Sequence, residues 1–355
     1  MVLVYRYRVK SLIGLLNKQS RACNFVWNFC NDRQKDALRF GRRWHTGFDL
    51  NKLTQGSSKE LGLHSGTINA VCEQYAKSRA QKKRPFLRYR GKKNLGWVPL
   101  KGRELKREGD AFRFAGNTFR VFNSRPLPEG KIKDGTNFSC DSRGNWFLNI
   151  VIEVDATAAN ARAPVRRVGI DLGLKDFATL STGEKIRAQR IYRGMEQALA
   201  VAQRARKKRR VRAIHAKIAN CRNDFQHKLS SRLVREFDYI ALGNVSAAGL
   251  AKTSMAKSAL DAGWSSFRNK LAYKAVKHGA WFVEVNERFT SQTCSNCEKQ
   301  FQIRAPRRGP KGIAGLGVRE WQCSDCGCVH DRDLNAALNI LRRGRATLDV
   351  GIPVL

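Results

Sequence analysis

Two Cys-x-x-Cys pairs, Cys294 with Cys297 and Cys323 with Cys326, are separated by 25 residues. Each tight turn presents two thiolates on one side of a loop, and two such turns complete the tetrahedral sulfur set that zinc takes. The intervening RAPRRGPKGIAGLG is basic and glycine-rich, as an exposed loop between two knuckles would be. Cys328, two residues past Cys326, is a competing donor, but the Cys-x-x-Cys geometry favours Cys326. The other five cysteines, Cys23, Cys30, Cys72, Cys140 and Cys221, are isolated, which suits small core residues rather than ligands.

The second set is acidic. In a chain of 355 residues with 68 Lys plus Arg against 29 Asp plus Glu, a carboxylate at the end of an apolar strand demands a reason, and metal binding is one. In VGIDLG, Val168 and Ile170 define a strand that ends in Asp171; a turn-forming aspartate is the competing reading. In HDRDLNAALNI, Asp333 opens a helix whose apolar face packs on a sheet, while Asp331 reads as a capping or solvated residue and the fallback ligand. Carboxylates gathered this way would hold divalent cations. Two such ions can activate a water and stabilise the leaving oxygen of a phosphodiester.

The elements that must position these residues follow from pattern. Leu16, Cys23, Val26, Trp27 and Cys30 share a helical face, and residues 66–80 also read as helix. The stretch 82–96, KKRPFLRYRGKKNLG, alternates basic residues with Phe86 and Tyr89 and reads as an edge strand on a nucleic-acid surface. The runs AFRFAG, NTFRVFN, TNFSCD and NWFLNIVIEV predict short strands of a barrel or small sheet. A boundary is expected near residue 160, in ATAANARAP. Beyond it, VRRVGIDLGLKDFATLST predicts a hairpin, residues 190–237 a long basic helix, and DYIALGNV and AWFVEVNERF two parallel strands joined by a helix at 260–278. The closing helix is expected to turn Leu334, Ala337, Leu338 and Leu341 to one face.

A net charge of +39 points to a polyanionic partner, and nucleic acid is the leading one. No apolar run approaches the roughly 18 residues of a spanning helix, so a membrane is not expected. MVLVYRYRVK lacks the pattern of a secretory signal, which predicts a cytoplasmic protein. Candidate nucleic-acid contacts are Arg84, Arg88, Tyr89, Arg90, Lys92 and Lys93, and then Arg206, Lys207, Lys208, Arg209 and Arg210. Between 204 and 212, seven of nine residues are basic with no acid among them, a run that phosphate would relieve.

Taken in order, ACNFVWN, RPFLRYRGKK, GIDLGLKDFATLS, YIALGNV, TSQTCSNCE, WQCSDCGCVHDRD and LNAALNIL resemble the TnpB family of transposon-encoded proteins, relatives of the type V CRISPR effectors. The resemblance implies an α+β multidomain chain. Its parts would be an N-terminal β-barrel (1–10 and 82–160), a helical insertion (11–81), a RuvC-like RNase H domain (161–287 and 329–355) and a zinc ribbon (288–328). It also implies an RNA-guided, magnesium-dependent DNA endonuclease, often labelled transposase, with one structural zinc, a guide RNA from the transposon end and double-stranded target DNA. A transposase that joins strands itself fits poorly, because no His-x-His pair exists.

One departure matters. The family's second motif places a glutamate where this chain has Gly243 and Asn244. In one reading the carboxylate has moved to the adjacent strand, where Glu287 stands, since neighbouring strands lie about 4.8 Å apart. The catalytic set is then Asp171, Glu287 and Asp333. In the other reading the site is incomplete, and the protein binds DNA under RNA guidance without cutting. Glu284 has the opposite strand parity to Glu287 and reads as a solvated charge.

Overall fold

A computed structural model of the protein describes residues 2–91, 93–154, 165–245, 247–250, 252–299 and 319–349. Lys92, the ATAANARAP segment with its expected boundary, and the RAPRRGPKGIAGLG loop lie outside the described residues. The chain is an α+β protein of two compact units, 1–155 and 156–355.

In the first unit, β1 (Val2–Arg8) leads into the helices α1 (Ile13–Arg39), α2 (Gly47–Leu53), α3 (Ser58–Leu61) and α4 (Ser65–Gln81). The apolar spacing of α1 does what it predicts: Leu16, Cys23, Val26, Trp27 and Cys30 are all buried. Trp27 meets Tyr75 of α4 edge-on at 5.2 Å. A Thr46–Asp49 capping box starts α2, satisfying amide groups that the helix leaves unpaired.

Seven further strands follow: β2 (Trp97–Pro99), β3 (Lys106–Glu108), β4 (Ala111–Phe114), β5 (Asn117–Arg120), β6 (Lys131–Ile132), β7 (Asn137–Cys140) and β8 (Trp146–Glu153). One sheet runs β1-β8-β7-β2 with β6 also on β8; β3-β4-β5 form a meander, and Val9 bridges to Val121. Strict alternation in β8 buries Trp146, Leu148, Ile150 and Ile152 on one face.

The described residues of 82–96 are not an edge strand. Side chains of α1 take their backbone groups instead: Asn28 pairs with both N–H and C=O of Arg90 (2.7 and 2.8 Å), Asn31 accepts from Leu87 N–H (2.9 Å), and Trp27 donates to the Arg88 carbonyl (3.2 Å). Residues 87–90 of the basic stretch are therefore held along α1. The strand pattern was present, but polar residues of α1 outcompeted a sheet neighbour.

In the second unit, β9 (Arg167–Leu172), β10 (Asp176–Leu180) and β11 (Lys185–Arg187) precede α5 (Ile191–Arg204) and α6 (Lys208–Glu236). Then come β12 (Tyr239–Gly243), α7 (Ala247–Leu250), α8 (Ala256–Ala262), α9 (Trp264–His278) and β13 (Trp281–Val285). The chain ends with β14 (Glu320–Gln322), β15 (Val329–Asp331) and α10 (Arg332–Asp349). The sheet order is β11-β10-β9-β12-β13, with β9, β12 and β13 parallel and β10 antiparallel to both neighbours.

Strand parity sorts the core. Val168, Ile170, Leu172, Ile240 and Leu242 pack toward α6 and α9 together with Phe267 and Leu271. Tyr239, Ala241 and Val285 face Ile340 of α10. Helix α10 crosses β9 so closely that any side chain at Gly169 would collide with the Ala337 carbonyl.

Two expectations need correction. The basic stretch 190–237 is two helices, broken where Arg206 turns left-handed (φ 52°). Like charges three and four residues apart oppose a continuous helix through residues 206–210. The buried face of α10 is Asn335, Ala336, Ala337, Asn339 and Ile340, whereas Leu338 is exposed. Among the described residues no helix is long and apolar enough to cross a membrane.

Candidate metal centres and nucleic-acid surfaces

The knuckles close as their spacing predicts. Ligand atoms of Cys294, Cys297, Cys323 and Cys326 all lie within 4.8 Å of one another, with Cys294 to Cys326 and Cys297 to Cys323 each 3.6 Å between sulfurs. A tetrahedral zinc with bonds of about 2.3 Å separates its sulfurs by roughly 3.8 Å, so the set fits zinc. Cys328 stands outside it; its carbonyl accepts from Cys323 N–H (2.8 Å), and its backbone N–H, bonded to the Cys326 sulfur, brings that thiol down to about 6. His330 Nε2 lies 3.0 Å from the Cys294 sulfur, its ring against Trp321 at 4.7 Å.

The acidic site forms at the ends of β9 and β12, beneath the first turn of α10. Ile170 pairs with Leu242 across β9 and β12, so Asp171 and Gly243 are next in register, on the face toward α10. Gly243 pairs in turn with Val285, and Glu287 shares the parity of Val285. A Cβ at position 243 would lie 2.9 Å from Glu287 Oε2, so the glutamate fills the space above the glycine. Asn244 Oδ1 accepts the Glu287 N–H at 3.2 Å.

Electrostatics place the three carboxylates in one neighbourhood. Burial, then the charges of Glu287 and Asp333, push the Asp171 carboxyl well above the usual carboxylate range, with Arg332 opposing. Burial brings Glu287 to about 7. A buried carboxyl whose ionisation is opposed by two neighbouring carboxylates is a group that a divalent cation would relieve. Asp333 Oδ2 accepts from Arg319 Nη1 at 2.9 Å. Asp331 caps α10, accepting from the N–H groups of Asp333 (3.1 Å) and Leu334 (2.9 Å), and pairs with Lys185. Glu284 is bound to Arg268 at 2.8 Å, away from the site.

Among the basic candidates, Arg84, Arg88 and Lys93 are exposed, as are Arg206, Lys207, Lys208, Arg209 and Arg210. Phe86 and Tyr89 are half-exposed, with Lys35 Nζ at 5.2 and 4.4 Å from their ring centres. Arg90 is engaged internally, wedged between Trp27 and Trp97 at 5.4 Å from each and donating to Asn24 Oδ1.

Sequence reasoning missed Arg319, whose pairing with Asp333 is set by tertiary structure. It also missed a second aromatic and basic patch in RFGRRWHTGFDLNK, where Phe40, Trp44 and Phe48 are exposed under Arg42, Arg79 and Lys52. The interleaving that singled out residues 82–93 was equally present there.

A family model described as "Probable transposase" matches residues 149–254, and one described as "Cas12f1-like, TNB domain" matches 264–340. A "Putative RNA-guided DNA endonuclease" of Streptomyces pristinaespiralis is 39% identical over 242 residues, 64% of this chain and 57% of that protein. "Putative RNA-guided DNA endonuclease InsQ" of Escherichia coli (strain K12) is 26% identical over 373 residues, 93% of this chain and 88% of its own length. "TnpB-like protein L79" of Acanthamoeba polyphaga mimivirus is 31% identical over 144 residues, 38% of this chain and 25% of that protein. Both family models fall on the segments that carry the acidic site and the cysteine knuckles, and the chain is similar there to proteins named as RNA-guided DNA endonucleases and TnpB-like proteins.

Proposed function

We propose that this protein is an RNA-guided DNA endonuclease that hydrolyses phosphodiesters with Asp171, Glu287 and Asp333. The observation that carries the reading is the convergence of these carboxylates, expressed in the suppressed ionisation of Asp171. The β11-β10-β9-β12-β13 sheet is then the RuvC-like domain, the residues around the four cysteines its zinc ribbon, and the sheets of the first unit the barrel that carries the helical insertion.

In this reading Asp171 is the central ligand, held rigidly on a strand, and Glu287 and Asp333 approach it from the β13 end and from α10. Magnesium ions held there would supply the charge that activates water and stabilises the leaving oxygen. Glu287 takes the part of the glutamate that the family carries on β12, and Gly243 leaves it room. A guide RNA from the transposon end would supply sequence specificity by pairing with double-stranded target DNA, while Arg84, Arg88, Lys93 and residues 206–210 meet phosphates.

Binding without cutting is the second reading. It is favoured by the Arg319–Asp333 ion pair, and by the cysteines being the only group of ligands gathered within 4.8 Å among the described residues. Protein purified with its co-expressed RNA and given a matching duplex separates the two. The nuclease reading expects cleavage with magnesium and none with EDTA. Intact, bound target in magnesium would overturn it.

A further inference from the structure

Glu287 follows the end of β13, so strand pairing does not hold it. What holds it is a stripe of donors on α10. Asn335, Asn339 and Arg343 are spaced four apart and so share one side of the helix. Arg343 Nη1 donates to the carbonyls on either side of Glu287, those of Asn286 (2.7 Å) and Arg288 (2.8 Å). Asn339 Nδ2 donates to the carbonyls of Thr290 (2.8 Å) and Thr293 (2.6 Å), and Asn335 Nδ2 to the same two (3.1 and 2.7 Å).

The gripped segment is itself closed. Thr290 returns both its N–H (3.1 Å) and its hydroxyl (2.8 Å) to the Glu287 carbonyl. Asn335 Oδ1 accepts from Ser295 N–H at 2.9 Å, the residue after the first cysteine of the knuckle. Both asparagines are at most 1% exposed. Buried amides are costly unless bonded, and here each Nδ2 donates to the loop, while Asn339 Oδ1 accepts from Arg342 of its own helix at 2.7 Å.

We propose that Asn335, Asn339 and Arg343 are positioning residues, a donor stripe that clamps the Glu287 turn and the first cysteine knuckle onto α10. Because Asp333 stands in the first turn of the same helix, the clamp sets the spacing between Glu287 and Asp333. It also joins the ribbon to the acidic site, so the knuckle and the two carboxylates move as one body. The inference rests on the reading of Glu287 as a metal ligand.

The test uses the full chain with its guide RNA and four variants: Arg343→Ala, Arg343→Lys, Asn339→Ala and Glu287→Ala. Manganese binding is followed by electron paramagnetic resonance, alongside the magnesium midpoint of cleavage, zinc content and target affinity. Arg343 is half-exposed, so its replacement should fold even if Asn339→Ala does not. Arg343→Ala should weaken manganese binding and raise the magnesium midpoint by about 10- to 100-fold, the usual loss when an outer partner of a ligand is removed. Zinc content and target affinity should not change. Arg343→Lys should recover part of the loss, because an ammonium can still reach one carbonyl. Wild-type manganese affinity and midpoint in Arg343→Ala would overturn the clamp alone if Glu287→Ala is defective. If Glu287→Ala itself binds manganese and cuts normally, the ligand reading fails and the clamp falls with it.

Discussion

At the scale of single residues, the proposed site turns on the packing of Glu287 against Gly243. Glycine at 243 is required by the close approach of the Glu287 carboxylate, so Gly243→Ala should displace it. Cleavage is expected to fall at least about tenfold with target binding retained, read from single-turnover rates and filter binding. Cys294→Ser should remove a buried ligand of the knuckle, and elemental analysis should show the chain's zinc content lost or sharply reduced. Much of this was legible in the sequence. Two Cys-x-x-Cys turns have one common chemistry, and their sulfurs gather as the spacing predicts, whereas Glu287 lies past the end of β13, where strand parity no longer fixes it. The pairing of Arg319 with Asp333 was not legible, because nothing local brings a guanidinium to a carboxylate fourteen positions away.

Elements tell a similar story with different failures. Alternation, continuous apolar runs and helical spacing recovered β8, β9, β12, β13, α1 and α4, with β8 buried on one face and β12 buried at every position. Residues 82–96 failed because asparagines of α1 satisfied a backbone that the pattern assigned to a sheet. The face of α10 shifted because Asn335 and Asn339 are buried for their hydrogen bonds, which hydrophobic periodicity does not register. The α6–α9 contact carries the core. Phe267 is fully buried, edge-on to Phe177 at 5.0 Å, and Phe267→Ala should cost about 3–5 kcal/mol in denaturant unfolding.

The same contact buries Lys274 of α9, whose ammonium donates to the His227 carbonyl and to Ser230 and Ser231 of α6. Burial, then the charges of Lys270 and Arg235, lower it from 10.5 to about 8. The folded chain thus binds this proton less tightly than the unfolded chain, so the lysine lowers stability below about 8. That loss is recovered as the pH rises from about 8 to 10.5. Unfolding midpoints of Lys274→Met relative to wild type should show the variant's advantage shrinking across that window.

For the whole molecule, charge pointed to a polyanionic partner, and motif order to the resemblance that the two family models and the relatives' names match. If RNA is the partner, as proposed, the spread of 68 basic residues along the chain makes that affinity a counterion-release effect. The logarithm of the association constant should fall linearly with the logarithm of salt concentration. Replacing Arg206, Lys207, Lys208, Arg209 and Arg210 with Ala should make that slope shallower if these exposed residues meet phosphate. The assignment of a nuclease, as against a guided binder, rests on the one carboxylate that stands away from its family position. Glu287→Gln keeps the shape of the side chain and removes only its charge, so its effect on magnesium-dependent cleavage of a guide-matched duplex is the most direct measurement. The account predicts that cleavage is lost while the duplex remains bound with wild-type affinity. Cleavage at the wild-type rate would contradict it.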